Sequence, residues 1–547
     1  MNEPAPPPHG PRGRRPDDWS SADWPPDAAD VSDTSVLPGP ASTTVFPPDA
    51  GDAASARTAE FAADEATRAL PPAVPRVPAA PSSGPGPAGA PSATTPLMPP
   101  EPAGPALPLG VAPSASAAPP VGAAPPPGAP APFAAPPPDA LSQFDLVHDR
   151  TGTASLKWDF AAERGRPASA LPLWVADMDH RTAPAVTSAL LWRVRHGIFG
   201  YTEPDAAYRA ALTGWFARRY GWAVDPAWNV ITPGVVPALA LAVRALTGPG
   251  DAVVIEEPVY YPFRQVVEDN GRSVVSVPLT RDADGVYRRD PAALEDALAR
   301  TGARLLLLCN PHNPVGRVWS REELDELAEV TGRHGVVVVS DEIHADLALP
   351  GRRTTPFASL GGEVAARTIT CTSPSKAFNL AGLQVANILI PDAGLRARFR
   401  AELNALGYSQ PNALGLTACR AAYESGDAWL DELRGHIAAA REHVVARLAR
   451  IPGIEATPTE GTYLLWLDCR GLLERSGLEA RELDEFILRR AGLWLDDGAI
   501  FGAGGEGFTR INVACARAVL DEALDRLAAA VEALPARRSR HAEAAAA

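Results

Sequence analysis

Lysine is almost absent from this chain of 547 residues: of its 50 basic side chains, only Lys157 and Lys376 are lysines. Arginine carries surface charge equally well, but its guanidinium stays protonated and is no amine nucleophile. Chemistry that needs an amine is therefore confined to two positions. Cysteine is scarce as well. The five, Cys309, Cys371, Cys419, Cys469 and Cys515, are odd in number, widely spaced and form no Cys-x-x-Cys pair. That excludes a disulfide framework and predicts reduced core residues in a cytoplasmic protein. No apolar run approaches the roughly 18 residues a membrane span needs. With 65 acidic residues the net charge is -15, which argues against a nucleic-acid or anionic-membrane surface. The expected partner is a small molecule or another protein chain.

One stretch lacks what a core requires. Of the 59 prolines, 37 fall in residues 1–138, among Ala, Gly, Ser and acidic residues with no sustained apolar periodicity. Such a segment cannot bury enough apolar surface to offset its ordering entropy, and it predicts a disordered, partly polyproline-extended tail. A passive spacer, a partner-docking segment and a start site assigned too far upstream are all open. No apolar stretch follows Arg14-Arg15, so neither a secretory nor a twin-arginine export signal is expected.

From about residue 141 to 534 the composition is that of a globular protein. The expected division is an N-terminal segment at 139–185 packing with a small domain, a large α/β domain at 186–426, a smaller α+β domain at 427–534, and a disordered tail at 535–547. In the large domain short apolar runs alternate with helical patterns, as in a mostly parallel sheet covered by helices. The expected strands are Ala252 to Glu256, Arg304 to Cys309, Gly335 to Ser340, Arg367 to Thr372 and Val385 to Ile390. In the smaller domain a long helix at Trp429 to Ala449, a strand at Thr462 to Leu467, a helix near Ala480 to Ala491 and a last helix from Val519 are expected.

Several of the strands run straight into polar clusters: Glu257-Pro-Val-Tyr-Tyr, Asn310-Pro-His-Asn-Pro-Val-Gly, Asp341-Glu-Ile-His and Ser373-Pro-Ser-Lys. Ligands of open α/β sheets bind outside the carboxyl ends of the strands, so the four clusters converge on one site. An Asp closing the run Val-Val-Val-Val-Ser-Asp is costly to desolvate without a cation. Asp341 is either a salt-bridged or capping residue or the partner of a protonated pyridine nitrogen, with Lys376 holding the aldehyde of the same cofactor. Asn313 lies in a Pro- and Gly-bounded turn that aims its amide at a ring oxygen or is simply a turn. Ser373 and Ser375 are helix caps or phosphate donors, and Gly234-Val-Val-Pro opens a helix whose free amides form an anion site. Tyr260 is a core residue or a ring that stacks on another ring. Arg510 has bidentate geometry for a carboxylate, or is one more surface charge among 48 arginines. Lys157, with no comparable neighbours, is expected on the surface.

Taken in order, the segments Leu173-Trp-Val-Ala-Asp-Met-Asp, His196-Gly-Ile-Phe-Gly-Tyr-Thr, Thr232-Pro-Gly-Val-Val-Pro-Ala-Leu, Pro258-Val-Tyr-Tyr-Pro-Phe, Leu308-Cys-Asn-Pro-His-Asn-Pro-Val-Gly, Ser340-Asp-Glu-Ile-His-Ala-Asp-Leu and Ser375-Lys-Ala-Phe-Asn-Leu-Ala-Gly-Leu resemble the fold-type I pyridoxal phosphate enzymes of the aminotransferase class I/II superfamily. The resemblance is closest to the MalY/PatB-type cystathionine β-lyases and spans essentially the whole globular part. It implies that Lys376 carries the cofactor and then shuttles the Cα proton, that Asp341 pairs with the ring nitrogen and Asn313 with the ring hydroxyl, and that Tyr260 stacks on the ring. It also implies a phosphate held by Val235, Val236, Ser373 and Ser375, with Tyr201 from the other subunit of a homodimer, and a substrate carboxylate held by Arg510. Two positions depart from the wider superfamily: Gln384 stands where an arginine is typical, and His344, also expected at the cofactor, stands where a tyrosine is common. Both resemble the β-lyase branch. The implied activity is elimination from cystathionine or another S-substituted cysteine, giving a thiol, pyruvate and ammonia. Transamination is the rival within enzymes, and an interaction protein working through the Pro-rich tail is the rival outside them. No metal is expected.

Overall fold

The computed structural model describes residues 142–535. The expected tails, at 1–138 and, except for Pro535, at 535–547, lie outside the described residues. Two helices, α1 (Pro184–His196) and α2 (Ala206–Tyr220), precede a sheet of seven strands. In chain order these are β1 (Asn229–Thr232), β2 (Ala252–Glu257), β3 (Ser273–Pro278), β4 (Leu305–Cys309), β5 (Val337–Asp341), β6 (Thr368–Thr372) and β7 (Ala386–Leu389), with helix α3 (Val235–Leu246) following β1. Their order across the sheet is β1-β7-β6-β5-β4-β2-β3. The five strands expected from sequence are all present within two residues, and β1 and β3 add to them.

Parallel pairing joins β3 to β2, β2 to β4, β4 to β5 and β5 to β6. The seventh strand departs from the parallel pattern, running antiparallel to both β6 and β1. The connection from β6 to β7 holds the lysine loop and no crossover helix longer than a single turn, so nothing returns the chain to the starting edge as a parallel neighbour requires. Both faces of the central strands are covered. Val253, Ile255, Leu305 and Leu307 pack with Ala238, Leu239 and Ala242 of α3, while Val254, Leu306 and Leu308 pack with Leu324 and Leu327 of the helix Arg321–Arg333. Side chains of a strand point alternately to its two faces, so these uninterrupted apolar runs serve two layers at once. The Arg321–Arg333 helix is launched by a reciprocal cap between Ser320 and Glu323, which satisfies two of the amides left open at a helix start.

A second sheet is antiparallel, with β8 (Glu455–Ala456), β9 (Leu464–Asp468), β10 (Asp496–Asp497) and β11 (Phe508–Asn512) in the order β8-β9-β11-β10. The long helix Asp427–Leu448 and the helix Arg517–Glu532 pack on it through Leu433, Ile437, Leu520 and Leu524. The helical run expected near 480–491 changes winding along its length, tight at Ala480–Glu482, ordinary at Leu483–Phe486 and wide at Ile487–Ala491. Far earlier in the chain, Leu171–Pro172 pairs in parallel with Leu493–Trp494. All five cysteines are buried free thiols. Among the described residues no helix is long and apolar enough to cross a membrane.

Candidate active site

The carboxyl ends of β4, β5 and β6 and the start of α3 surround a cavity of about 390 Å³ that also takes in residues of the second sheet. Asp341 closes β5, is 4 % exposed and accepts the Ile343 N–H at 3.1 Å. Burial pushes its carboxyl up to about 7, against that hydrogen bond and the charge of Lys376. A buried carboxylate with no ion pair is a demand for a cation in the cavity. Lys376 lies four residues beyond β6, and its Nζ donates to the Ala176 carbonyl at 2.7 Å. Burial lowers its amine to about 8, while Asp177 and Asp341 favour the charged form and Arg510 opposes it. An amine brought that low is neutral, and so nucleophilic, in about a tenth of molecules at pH 7, against well under about a thousandth for an ordinary lysine.

Asn313 is set in the turn after β4, which Gly316 closes with φ 71° and an N–H donated to His312 O at 2.7 Å. A side chain at Gly316 would put its Cβ 2.6 Å from Thr459, so only glycine fits both the conformation and the space. The Asn313 Oδ1 accepts from Arg510 Nη1 at 2.9 Å, which leaves the amide N–H groups to the cavity. Tyr260 forms part of the wall, its phenol pushed upward by burial. His344 also lines the cavity, with Nδ1 unpartnered. Burial, with the charges of Lys376 and Arg510, lowers its imidazole to about 3 and keeps it neutral.

At the opposite end Val235 and Val236 begin α3 with no side-chain cap, and open first-turn amides attract an anion. Ser375 lines the same end. Ser373 does not. Its hydroxyl donates to Val385 O at 2.7 Å and lies 2.6 Å from the Ser375 hydroxyl, so it reaches the cavity through Ser375. Gln384, the departure from the superfamily pattern, lines the cavity with φ 48°. Tyr201 stays out of its own chain's cavity. It is 94 % exposed and borders an adjoining hollow that shares Pro233 and Gln384 with the first.

Arg510, on β11, is 2 % exposed. Its guanidinium is paired with Asp496 of β10, donates to Trp174 O at 3.1 Å and lies 4.8 Å over the Phe501 ring, while its Nε has no partner. Sequence reasoning missed Asp496, Trp174, Ala176 and Tyr463, whose hydroxyl donates to Ala176 O at 3.1 Å. The signal for Asp496 was two acids closing the apolar run Leu493-Trp-Leu-Asp-Asp, a second instance of the pattern that exposed Asp341. Lys157 overturns its expected surface position. It is 0 % exposed, paired with Asp179 at 2.7 Å, because the 142–180 segment folds over it.

The sequence model for aminotransferase class I and II matches residues 171–527. Cystathionine beta-lyase PatB of Bacillus subtilis is 46 % identical over 389 residues, covering 71 % of this chain and 99 % of that protein. Protein MalY of Escherichia coli is 34 % identical over 395 residues, covering 72 % and 99 % respectively. Among solved structures, cystalysin from Treponema denticola, which contains a pyridoxal 5'-phosphate cofactor, superposes with a TM-score of 0.69 at 36 % identity over 72 % of this chain and all of that one. From residue 171 to near its end, the chain belongs to the aminotransferase class I and II family.

Proposed function

We propose that this protein is a pyridoxal 5'-phosphate-dependent carbon–sulfur β-lyase that acts on cystathionine or related S-substituted cysteines, as a cytoplasmic homodimer. The observation that carries the reading is a depressed amine, Lys376, sharing one cavity with an uncompensated buried carboxylate, Asp341. The cavity fits the cofactor at each of its ends. Asp341 would pair with the ring nitrogen, the His344 imidazole with its unpartnered Nδ1 and the Asn313 amide would meet the ring hydroxyl, and the uncapped start of α3 with Ser375 would hold the phosphate.

When bound, pyridoxal phosphate supplies an aldehyde for the substrate amine and a ring that accepts electrons from Cα. The chain does the rest. Arg510, held by Asp496 and Asn313, binds the substrate carboxylate and thereby orients the Cα–H bond toward Lys376. The Lys376 amine takes the Cα proton. The electron pair left on carbon expels the sulfur from Cβ as a thiolate, which leaves as the thiol. Addition of water to the remaining three-carbon unit yields pyruvate and ammonia. Asp341 keeps its charge throughout, since a protonated partner offsets its burial.

The dimer is supported by an apolar face that no other described residue of the chain covers: Leu191, Trp192 and Val194 on α1, then Ile198 and Phe199 beside Tyr201. Tyr201 of a second copy seated there completes the phosphate end of this chain's cavity. The division at residues 185 and 426 is proposed as the boundary between the cofactor-binding part and the parts that pack with it. The test is to incubate the protein with cystathionine and no keto acid. Pyruvate and free thiol in equal amounts are expected, whereas turnover that starts only when a keto acid is added would replace elimination with transamination.

A further inference from the structure

Lys157 is used by none of the chemistry above, yet it is the more deeply buried of the two lysines. Its Nζ donates to the Asp179 carboxylate at 2.7 Å and to the Asp177 carbonyl at 3.1 Å. These acceptors belong to residues 174–180, a stretch without helix or strand. Having no ladder of its own, the stretch must find partners for its carbonyls among side chains. It finds them in order along the chain. Arg510 holds Trp174 O, Asn512 holds Val175 O at 2.8 Å, Lys376 holds Ala176 O, Lys157 and Asn512 share Asp177 O at 3.1 and 2.8 Å, and Arg150 and Asn379 hold Met178 O at 3.1 and 2.9 Å. The two lysines of the chain thus hold consecutive carbonyls of one strap.

The strap is part of the reaction cavity, because Trp174, Val175 and Ala176 line it. Its carboxylates are tied down as well. Arg150 bridges Asp177 at 2.8 Å and Asp179 at 2.9 Å, and Trp158 Nε1 donates to Asp179 at 3.0 Å. A fully buried ammonium is costly to desolvate, and an apolar side chain of the same length would avoid that cost. What the ammonium offers and an apolar chain does not is directional hold on two acceptors, one in the strap's backbone and one in its side chains.

We propose that Lys157 is a positioning residue for the reaction: it fixes the 174–180 strap so that the Ala176 carbonyl stands at the Lys376 amine. This rests on the reading of the cavity as the site of β-elimination. Lys157 touches neither substrate nor cofactor and acts through the strap alone.

The test compares the full-length holoenzyme with its Lys157→Met variant, which keeps the length and removes the donors. Amide hydrogen exchange of peptides covering 174–180 is expected to be at least tenfold faster in the variant, while β5 and β6 keep wild-type protection and cofactor content is unchanged. With the Ala176 carbonyl that Lys376 engages displaced, kcat is expected to fall at least tenfold and KM less than threefold. Unchanged exchange in the strap overturns the proposal, and so does exchange raised equally throughout the chain. If Lys157→Met does not fold, Asp179→Asn decides by the same two readings, because it withdraws the carboxylate that Lys157 engages and leaves the strap's backbone intact. A strap that loosens in a protein whose wild type yields no pyruvate from any S-substituted cysteine would refute the lyase reading and leave the hold of Lys157 on the strap standing.

Discussion

Arg510 and Asp496 form a buried ion pair across adjacent strands of the second sheet, directly opposite each other in register, with Arg510 also donating to Asn313 at 2.9 Å. One guanidinium thus joins the second sheet to the turn that follows β4 of the large one. The pair presents a fixed cation to the cavity and leaves its Nε free, as recognition of a carboxylate needs.

Removing one member of a buried charge pair leaves the other uncompensated, at a cost of about 3–5 kcal/mol. Arg510→Gln is therefore expected to lower kcat/KM by about 10²–10³-fold, each tenfold corresponding to ~1.4 kcal/mol. Most of the loss is expected in KM, with bound cofactor retained. Steady-state kinetics with cystathionine and an absorbance spectrum of the purified variant check both parts. A variant with normal KM would remove Arg510 from substrate binding.

Lys376→Arg keeps a cation and loses the amine. Turnover is expected to fall by at least about 10⁴-fold, since a positioned proton-transfer group alone contributes up to roughly that factor. In the wild type, borohydride treatment followed by peptide mass analysis should place the cofactor on residue 376 and not on Lys157. Burial lowers the Lys376 amine to about 8, and only the neutral amine attacks an aldehyde. Uptake of pyridoxal phosphate by cofactor-stripped protein should therefore accelerate as pH rises through about 8 and level off above it. A rate still climbing at pH 10 would describe an ordinary lysine.

The difference between the two lysines shows how far the sequence could be read. Lys376 and Asp341 were legible because buried strands ending abruptly in charge are physically expensive, and expense of that kind points to a ligand. Lys157 was misread because it sits in Gly152-Thr-Ala-Ser-Leu-Lys-Trp-Asp, which has neither a helix nor a strand period to say which way a side chain faces. Its burial is decided by Asp179, 22 residues later. The direction of β7 was equally hidden. Composition marks a buried strand, but whether it runs parallel depends on the connection that precedes it. Asp496 closes an apolar run as Asp341 does, but it stands in a strand of two residues, and only the register that sets it against Arg510 shows which cation it pairs with.

Glu342 follows Asp341 and is also buried, accepting from Phe357 N and Ser340 Oγ at 2.8 Å each, with its second oxygen unpartnered. Burial raises its carboxyl to about 8, against those two hydrogen bonds. The folded protein therefore holds a proton that the unfolded chain has released above the ordinary carboxylate range. Stability falls as pH rises through the window from about 4.5 to about 8, and is fully retained below it. Glu342→Gln cannot lose that proton. Its melting temperature is expected to match the wild type at pH 5 and exceed it at pH 8.5, by at most about 5 kcal/mol in stability, since each tenfold difference in proton affinity between fold and unfolded chain corresponds to ~1.4 kcal/mol. Thermal melts at the two pH values decide it, and an equal difference at both would mean that Glu342 is ionised in the fold.

Tyr201 yields the sharpest test of the dimer. It is 94 % exposed, beside a hollow that opens next to the cavity, so in one chain it serves neither core nor site. If it reaches into the partner's phosphate end, Tyr201→Ala and Lys376→Ala damage the same site from different chains. Each variant alone is expected to be nearly inactive. Mixed by co-expression, they form hybrid dimers in which one site has both defects and the other has neither. Random pairing makes half of the dimers hybrids, each with one intact site, so activity should recover to about a quarter of wild type. Two residues of the same chain's site could not complement in this way. No recovery, with hybrids verified by mass, would place Tyr201 outside the site and leave the apolar face of α1 without a catalytic reason.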